Sequence, residues 1–377
     1  MAIVAPTAAG DLGERLALPD LARRLRTPLL LALALLAHHF GLWFLACRHH
    51  GMTLAVLLDH WDGGHYSNIV RQGLHGDEWA FLPLYPMLVR QLGRLTGTMA
   101  APQLVGSLAS TLLLFAFIVA VEWRAPRTRH VPGLAPRDGW GWFLLLYGPA
   151  SFAFHSNHTE SLFLLLSFLA FSLSAEARGG AAGVFAGLSI FARIQGLFVA
   201  GAAAWLAAGV PAAAGRRWRV FLAAGALSAL FFAGLLAFEY HGSGDPLAFV
   251  TAHRAWTHAH SLAEVARTFW MGNPWQGRDG VAIGYELFFF GWVAAALFLW
   301  RRQPALGAYA LVSAAVLPLQ AELINGFRYE AVLFPLAFSL GDWLSERPVW
   351  LRWGCVPAIV LLNHWDTLNY ARMWWAY

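Results

Sequence analysis

Long runs of apolar residues constrain this chain more than any other feature. A membrane-spanning helix needs about 20 consecutive apolar residues to cross the hydrocarbon layer. Residues 28–47 form such a run without a single Asp, Glu or Arg. Of the 377 residues, 58% are hydrophobic and only 12% are charged, which is about half the charged fraction of a soluble domain. The sequence therefore predicts an all-α polytopic integral membrane protein.

Eleven apolar runs are candidates for membrane spans. They lie near 28–47, 102–121, 140–156, 159–175, 180–193, 195–210, 219–240, 281–300, 304–322, 330–345 and 349–366. The first run is longer than the apolar core of a secretory signal and no small-residue cleavage site follows it, so we interpret it as a retained span. We expect a single transmembrane domain over 1–377, with long outer loops at about 48–101 and 241–280.

The arginines orient these spans. The chain has no lysine, and with the N-terminus inside, 16 of its 26 arginines fall at predicted inner turns, as the positive-inside rule requires. These are Arg15, Arg23, Arg24, Arg26, Arg124, Arg127, Arg129, Arg137, Arg178, Arg216, Arg217, Arg219, Arg301, Arg302, Arg347 and Arg352. A span at 81–95 would invert this pattern. We therefore expect an interfacial or re-entrant element there, for which Pro83 and Pro86 are suited.

Ionisable and aromatic residues collect on the predicted outer side. Charged groups at membrane depth are costly and by default mark a functional site. The four that come closest to that depth are Glu160, Arg193, Arg328 and Glu330. A structural alternative is that they pair with one another and only lock helices together. The candidate site residues are Asp59, Trp61, Asp62, His65, Tyr66, Glu78, His155, His158, Glu160, Arg193, Arg328 and Tyr329.

Asp59, Asp62 and His65 follow one another at intervals of three residues. On a continuous helix they would share one face. That pattern fits a divalent-metal site, because carboxylates and imidazole are ligands for Mn²⁺ or Mg²⁺. It also fits a single general base, Asp62, that its neighbours position, or a solvated turn without function. The sequence has no nucleotide-binding loop, zinc-finger spacing or nucleophile elbow, and we expect no nucleic-acid partner.

Five stretches of the chain, in order, carry a resemblance to one known family. They are 60–66 (HWDGGHY), 81–86 (FLPLYP), 158–163 (HTESLF), 191–196 (FARIQG) and 328–335 (RYEAVLFP). The first two together resemble the first signature of the PIG-V mannosyltransferase family, a Trp-Asp pair followed by an aromatic and proline segment, and the other three are similar to three later signatures of that family. These matches span about 60–335. His158 stands where the family has Tyr, and the pair at 194–195 stands where it has Ser-Asn.

The resemblance implies a GT-C-like bundle of about 11 transmembrane helices with its active site on the lumenal or periplasmic face. Eukaryotic members of the family transfer mannose from dolichyl-phosphate mannose. By this resemblance Asp62 takes the place of the acidic residue in the first lumenal loop, the usual candidate base. We expect an inverting glycosyltransferase, specifically a mannosyltransferase. Its donor would be a polyprenyl-phosphate sugar and its acceptor a lipid or glycan hydroxyl.

These expectations assign roles to the candidate residues. We expect Asp62 to be the catalytic base, and Arg193, Arg328 and His65 to bind the donor phosphate. The other candidates would support them, without a metal ion or other cofactor. The expected location is a bacterial inner (plasma) membrane, with the site facing the periplasm. A secondary transporter or lipid flippase is the rival class, although the polar residues gather on one side and the two halves show no repeat.

Overall fold

The computed structural model of the protein describes residues 18–210, 213–253, 280–319 and 326–374, and within these ranges the chain contains helices and no β-strand. Most of the predicted second outer loop, 254–279, lies outside the described residues. The α-helices are α1 (Leu18–His50), α2 (Leu54–Leu58), α3 (Asp62–Gln72), α4 (Leu84–Thr96), α5 (Pro102–Thr128), α6 (Gly139–Leu146), α7 (Glu160–Ser174), α8 (Gly179–Ile190), α9 (Gly196–Gly209), α10 (Ala214–Ser243), α11 (Ala248–His253), α12 (Gly280–Arg302), α13 (Pro304–Leu319), α14 (Gly326–Ala331), α15 (Phe334–Ser345) and α16 (Val349–Ala371). Short 3₁₀ helices lie at Gly76–Ala80 and Ser151–Phe154.

Three of the described helices are long and apolar enough to cross a membrane. They are α1, α5 and α10, which contain the predicted runs 28–47, 102–121 and 219–240. The other predicted runs coincide with helices that are shorter or less apolar over the described residues. The prediction of eleven spans therefore stays a prediction, whereas the helical character of the chain is confirmed.

The structure shows how two further apolar segments fold. The run 140–156 is not one helix, because α6 ends at Leu146 and a turn with Gly148 and Pro149 follows. Proline disfavours helical backbone at the residue before it, which ends the helix there. Residues 81–95 contain α4, whose 13 residues extend only about 20 Å at 1.5 Å per residue. That length is shorter than a membrane span needs, and the interfacial or re-entrant position of this segment stays a prediction.

Helix α7 is the centre of the bundle and places the site at its end. Of its 15 residues, 13 are buried, and α5, α8 and α9 pack around it. The ring of Phe117 on α5 meets Phe168 of α7 and Phe334 of α15 edge-on, at centroid distances of 5.9 and 5.6 Å. A helix covered on all sides is expected to carry no charge. Its one charged residue is the first, Glu160, where a helix N-terminus favours negative charge.

Cysteine labelling tests the predicted orientation. Asp77 and Arg127 are both exposed and lie on the predicted outer and inner sides. In a chain whose native Cys47 and Cys355 are replaced by serine, Asp77→Cys should react with a membrane-impermeant maleimide in intact cells. Arg127→Cys should react only after the cells are permeabilised. The opposite labelling pattern would show that the orientation is inverted.

Candidate active site

Asp62 begins α3 directly after a sharp change in backbone direction. Helix α2 ends at Leu58, and Trp61 has a φ of 50°, which is uncommon for a residue other than glycine. Gly63 lies so close to the Leu58 carbonyl that a Cβ atom there would collide with it. Asp59, Asp62 and His65 therefore do not lie on one continuous helix, which is the condition under which they would share a face. Asp59 instead lies outside the helix and pairs with Arg71 at 3.5 Å.

Four charged side chains from distant parts of the sequence form a continuous chain of ion pairs. Arg328 of α14 contacts Asp62 of α3 and Glu160 of α7. Arg193, in the turn between α8 and α9, contacts the same Glu160 oxygen at 2.5 Å. The order is Asp62, Arg328, Glu160, Arg193, which we call the ion-pair chain. Two carboxylates and two guanidinium groups balance in charge, which reduces the cost of burying them.

The ion-pair chain is accessible from outside at one end, Asp62, which we call its open end, and its other three members are buried. Glu160 is fully buried, and the side chains of Arg193 and Arg328 are 9% and 8% exposed. The Asp62 side chain is 28% exposed. Asp62 is therefore the member of the ion-pair chain that is most accessible from outside the bundle. Glu330, which the sequence also placed at depth, is half-buried on the same short helix as Arg328.

The surroundings keep Asp62 ionised and its neighbours neutral. Burial opposes ionisation of Asp62, but the Arg328 guanidinium outweighs it and the net pKa of this carboxyl is below its ordinary value. Burial, with a further contribution from Arg328, lowers the pKa of His158 to about 3. Burial raises the pKa of the Tyr66 hydroxyl. At neutral pH the site thus presents an anionic Asp62 beside an uncharged imidazole and an uncharged phenol.

Two serines of α5 fix the turn that leads to Glu160. The Ser107 hydroxyl donates to the His155 carbonyl at 2.5 Å, and the Ser110 hydroxyl donates to the His158 carbonyl at 2.7 Å. Turn carbonyls inside a bundle need such donors, because leaving them without a hydrogen bond is costly. The position of Glu160 is therefore set by α5 as well as by α7.

Asn157 joins that turn to the start of α3. Its side-chain amide donates to the Gly63 carbonyl at 2.8 Å and to the Ser67 hydroxyl at 3.1 Å, while its oxygen accepts from Tyr85 at 3.1 Å. Gly106 of α5 leaves room for this amide, since a Cβ there would collide with it. Through Asn157 the elements that carry Asp62 and Glu160 are held to each other.

Gln195 holds the other end of the ion-pair chain. Arg193 donates through Nε to the Gln195 side-chain oxygen at 2.9 Å, and the Gln195 amide donates to the Tyr329 carbonyl at 3.3 Å. The Arg193 guanidinium also lies over the Tyr329 ring, 5.4 Å from its centroid. These contacts link the turn of Arg193 to the helix of Arg328. Gln195 was not among the predicted site residues, and only its place two residues after Arg193 signals a role.

The other predicted residues lie around the ion-pair chain or apart from it. His65 stacks on Phe81 at 4.8 Å between ring centroids, so a phosphate-binding role for it remains a prediction. Tyr66 packs edge-on against the same ring. Trp61 is 39% exposed at the outer rim. Glu78 is buried in the predicted first outer loop and pairs with a neighbouring histidine rather than with the arginines of the site.

His155 belongs to a second polar network behind the site. Its Nε2 lies 2.9 Å from Nδ1 of His39, whose Nε2 lies 2.8 Å from the Asn363 side-chain oxygen. His39 thus bonds to the turn that contains His155 and to α16, which carries Asn363. Tyr370 of α16 packs near this network and contacts His60 at 4.7 Å between ring centroids. Asn363 and Tyr370 were missed, because single polar residues in an apolar run form no motif.

Metal ligands are not gathered in the part of the chain that the structure describes. There, no group of three or more His, Cys, Asp or Glu side chains could hold a metal ion. The arrangement proposed for Asp59, Asp62 and His65 also lacks the common face on which it depended. The chemistry that this site offers is that of carboxylates, guanidinium groups and neutral imidazole.

Known proteins resemble the chain only distantly. No protein-family model and no curated protein matches it. The archaeal oligosaccharyltransferase AglB from Archaeoglobus fulgidus, in complex with an inhibitory peptide and a dolichol-phosphate, is similar at 13% identity and a TM-score of 0.44, over 94% of this chain and 56% of that chain. The apo form of the oligosaccharyltransferase from that organism gives 12% identity and a TM-score of 0.44, with the same coverage. The chain spans about half the length of these neighbours, and a similarity of this extent assigns it neither a fold nor an activity.

Proposed function

We propose that the protein is a glycosyltransferase that moves a sugar from a polyprenyl-phosphate donor to an acceptor hydroxyl on the predicted outer side of the membrane. The observation that carries the proposal is the ion-pair chain, with Asp62 at its open end and two arginines behind it. A hydroxyl nucleophile needs a base, and a phosphate leaving group needs cations. Mannose is the proposed sugar, on the resemblance to the PIG-V family.

The reaction we propose is a single displacement. The acceptor oxygen attacks the anomeric carbon of the sugar, Asp62 takes the hydroxyl proton, and the bond from that carbon to the phosphate oxygen breaks. The configuration at the anomeric carbon is thereby inverted. The leaving polyprenyl phosphate gains one negative charge, which Arg328 and Arg193 stabilise through their planar donor groups.

Arg328 has two tasks in this scheme. In the structure it contacts Asp62, which keeps that carboxylate ionised but makes it a weak base. A donor phosphate competes with Asp62 for the same guanidinium. When Arg328 turns to the phosphate, Asp62 loses its counter-ion and becomes more basic. Donor binding then prepares the base, so an acceptor is activated only when a donor is present.

An open apolar groove offers a place for the hydrocarbon tail of the donor. It has a volume of about 310 Å³ and lies between α9 and α10, with Phe221 and Phe232 in its wall. Ile190 and Leu197 also line it, and these two residues flank the turn that carries Arg193. A phosphate on Arg193 would therefore leave its tail close to this groove, where apolar contact with the lipid chain is favourable.

The pH dependence of transfer should change when Arg328 is removed. Arg328 lowers the pKa of Asp62 against the effect of burial, so in Arg328→Gln the pKa of Asp62 should rise. A base acts only when deprotonated, and the acid limb of kcat/KM for the residual activity should therefore move to higher pH. Arg71→Gln, which removes a surface partner of Asp59, should leave the limb in place. An unshifted limb in Arg328→Gln would exclude Asp62 as the titrating base.

A transfer assay separates the proposed activity from its rivals. The purified protein in vesicles receives a polyprenyl-phosphate sugar with radiolabel in the sugar, and a lipid extract of the source membrane supplies acceptors. A glycosyltransferase moves the label from the lipid phosphate to a new product, which chromatography resolves. A flippase or transporter changes the side on which the label lies but leaves it on the phosphate. Label that never leaves the donor would refute the proposal.

A further inference from the structure

The two carboxylate oxygens of Glu160 differ in the number of hydrogen-bond donors that they receive. Oε1 receives both guanidinium contacts, from Nη1 of Arg193 and from Nε of Arg328. Oε2 is buried and has no hydrogen-bond partner. A buried carboxylate oxygen without a donor is costly, and such atoms in folded proteins call for an explanation. The position of Oε2 beside the ion-pair chain suggests that its donor comes with a ligand.

The hydroxyl groups next to Glu160 in the sequence are engaged elsewhere. Thr159 donates its hydroxyl to the Ala192 carbonyl at 3.3 Å, and Ser161 donates to the Phe154 carbonyl at 2.6 Å. Both side chains are buried, and their hydrogen bonds fix the N-terminus of α7 to the neighbouring segments. Neither turns toward Glu160 without breaking a buried hydrogen bond, so the two nearest hydroxyls along the chain do not supply Oε2.

We propose that Glu160 selects the sugar by accepting a hydrogen bond at Oε2 from one ring hydroxyl of the donor. This inference rests on the proposed function. Arg328 and Arg193 both contact Glu160. A donor phosphate bound to these two arginines would therefore place its attached sugar next to the Glu160 carboxylate. The two acids then have separate tasks. Asp62, at the open end of the ion-pair chain, meets the acceptor, and Glu160, buried between the two arginines, recognises the donor sugar.

Donors that each lack one ring hydroxyl test this assignment. Hydrogen bonds to charged groups are strong, and loss of one corresponds to about a 10- to 100-fold decrease in kcat/KM. We expect one deoxy donor to show that decrease with the wild-type protein and the others to show much less. In Glu160→Gln the acceptor is neutral, and hydrogen bonds between neutral groups are about half as strong. The decrease for that donor should therefore fall to about 3- to 10-fold.

Glu239→Gln provides the matched control, because Glu239 is a buried glutamate of α10 outside the ion-pair chain. It should keep the wild-type ranking of donors. Glu160→Asp retains the charge but withdraws the carboxylate by one methylene group, so it should also lose the discrimination. It serves as the second variant if Glu160→Gln fails to fold.

The outcomes separate this inference from the function on which it rests. If the wild type uses all deoxy donors within about threefold of one another, Oε2 accepts no sugar hydroxyl and the inference is overturned. The same holds if both Glu160 variants keep the full discrimination of the wild type. A wild type that transfers no sugar from any lipid-phosphate donor overturns the proposed function instead.

Discussion

Replacement of Asp62 by asparagine should lower the rate of sugar transfer by about 10²–10⁴-fold, the usual contribution of a general base. Asparagine keeps the size of the side chain, and its oxygen still accepts a hydrogen bond from Arg328, but it cannot take a proton. The variant should therefore fold, insert and bind the donor lipid. Initial rates at saturating donor, together with a donor-binding titration, measure the two properties separately.

Asp59→Asn is the control for this experiment. Asp59 lies three residues away, and its pair with Arg71 is long, at 3.5 Å, between side chains that are 28% and 35% exposed. Such partly exposed pairs contribute about 0–1 kcal/mol, and we expect the Asp59→Asn rate to stay within a few-fold of wild type. An intact and fully active Asp62→Asn protein would remove Asp62 from the mechanism. Equal losses in both variants, with a requirement for divalent ions, would favour a metal site.

Replacement of Arg328 by lysine should lower kcat/KM for the donor by about 10²–10³-fold, the cost of losing one well-placed donor to a developing anion. Lysine keeps the charge, which avoids the loss of about 3–5 kcal/mol that follows when a buried ion pair is left with one partner. Its single ammonium group lacks the planar fork that contacts Asp62 and Glu160 together. Steady-state kinetics with varied donor give the measurement.

The matched control for Arg328→Lys is Arg71→Lys. Arg71 also contacts an aspartate, but at 3.5 Å and in the predicted first outer loop, with 35% of its side chain exposed. A single-point contact of this kind does not require the planar fork of arginine. We expect its kinetics to be close to wild type. If Arg328→Lys behaves in the same way, Arg328 does not hold the phosphate, and Arg193 would have to bind it without help.

All four members of the ion-pair chain could be named from the sequence, but on two different grounds. Glu160, Arg193 and Arg328 are charged residues beside apolar runs, and the energetic cost of that position marks them, together with Glu330, as candidates. Asp62 lies in the predicted first outer loop and is named for its spacing and for the resemblance of residues 60–66 to a family signature. Their contacts were beyond sequence analysis, because Arg328 is 168 residues from Glu160 and 266 residues from Asp62. The pairing also fits the alternative of a structural lock. The exposure of Asp62 and the unpartnered oxygen of Glu160 favour a site instead.

Local backbone geometry accounts for what the sequence predicted wrongly. Periodicity places Asp59, Asp62 and His65 on one helical face only if the helix continues, and the positive φ of Trp61 interrupts it. The run 140–156 is apolar throughout its first half, yet the Gly148–Pro149 pair ends α6 early. The network of His155 depends on Asn363, which is far away in the sequence and lies in a run whose composition signals only burial.

Release of polyprenyl phosphate is the most direct test of the central claim. Wild-type and Asp62→Asn proteins, purified and reconstituted side by side, receive the same polyprenyl-phosphate mannose and the same membrane lipid extract. The amount of free polyprenyl phosphate is measured by mass spectrometry. The mechanism requires one polyprenyl phosphate per sugar transferred by the wild type, and about 10²–10⁴-fold slower release by Asp62→Asn. No release by the wild type, or equal release by both proteins, would contradict it.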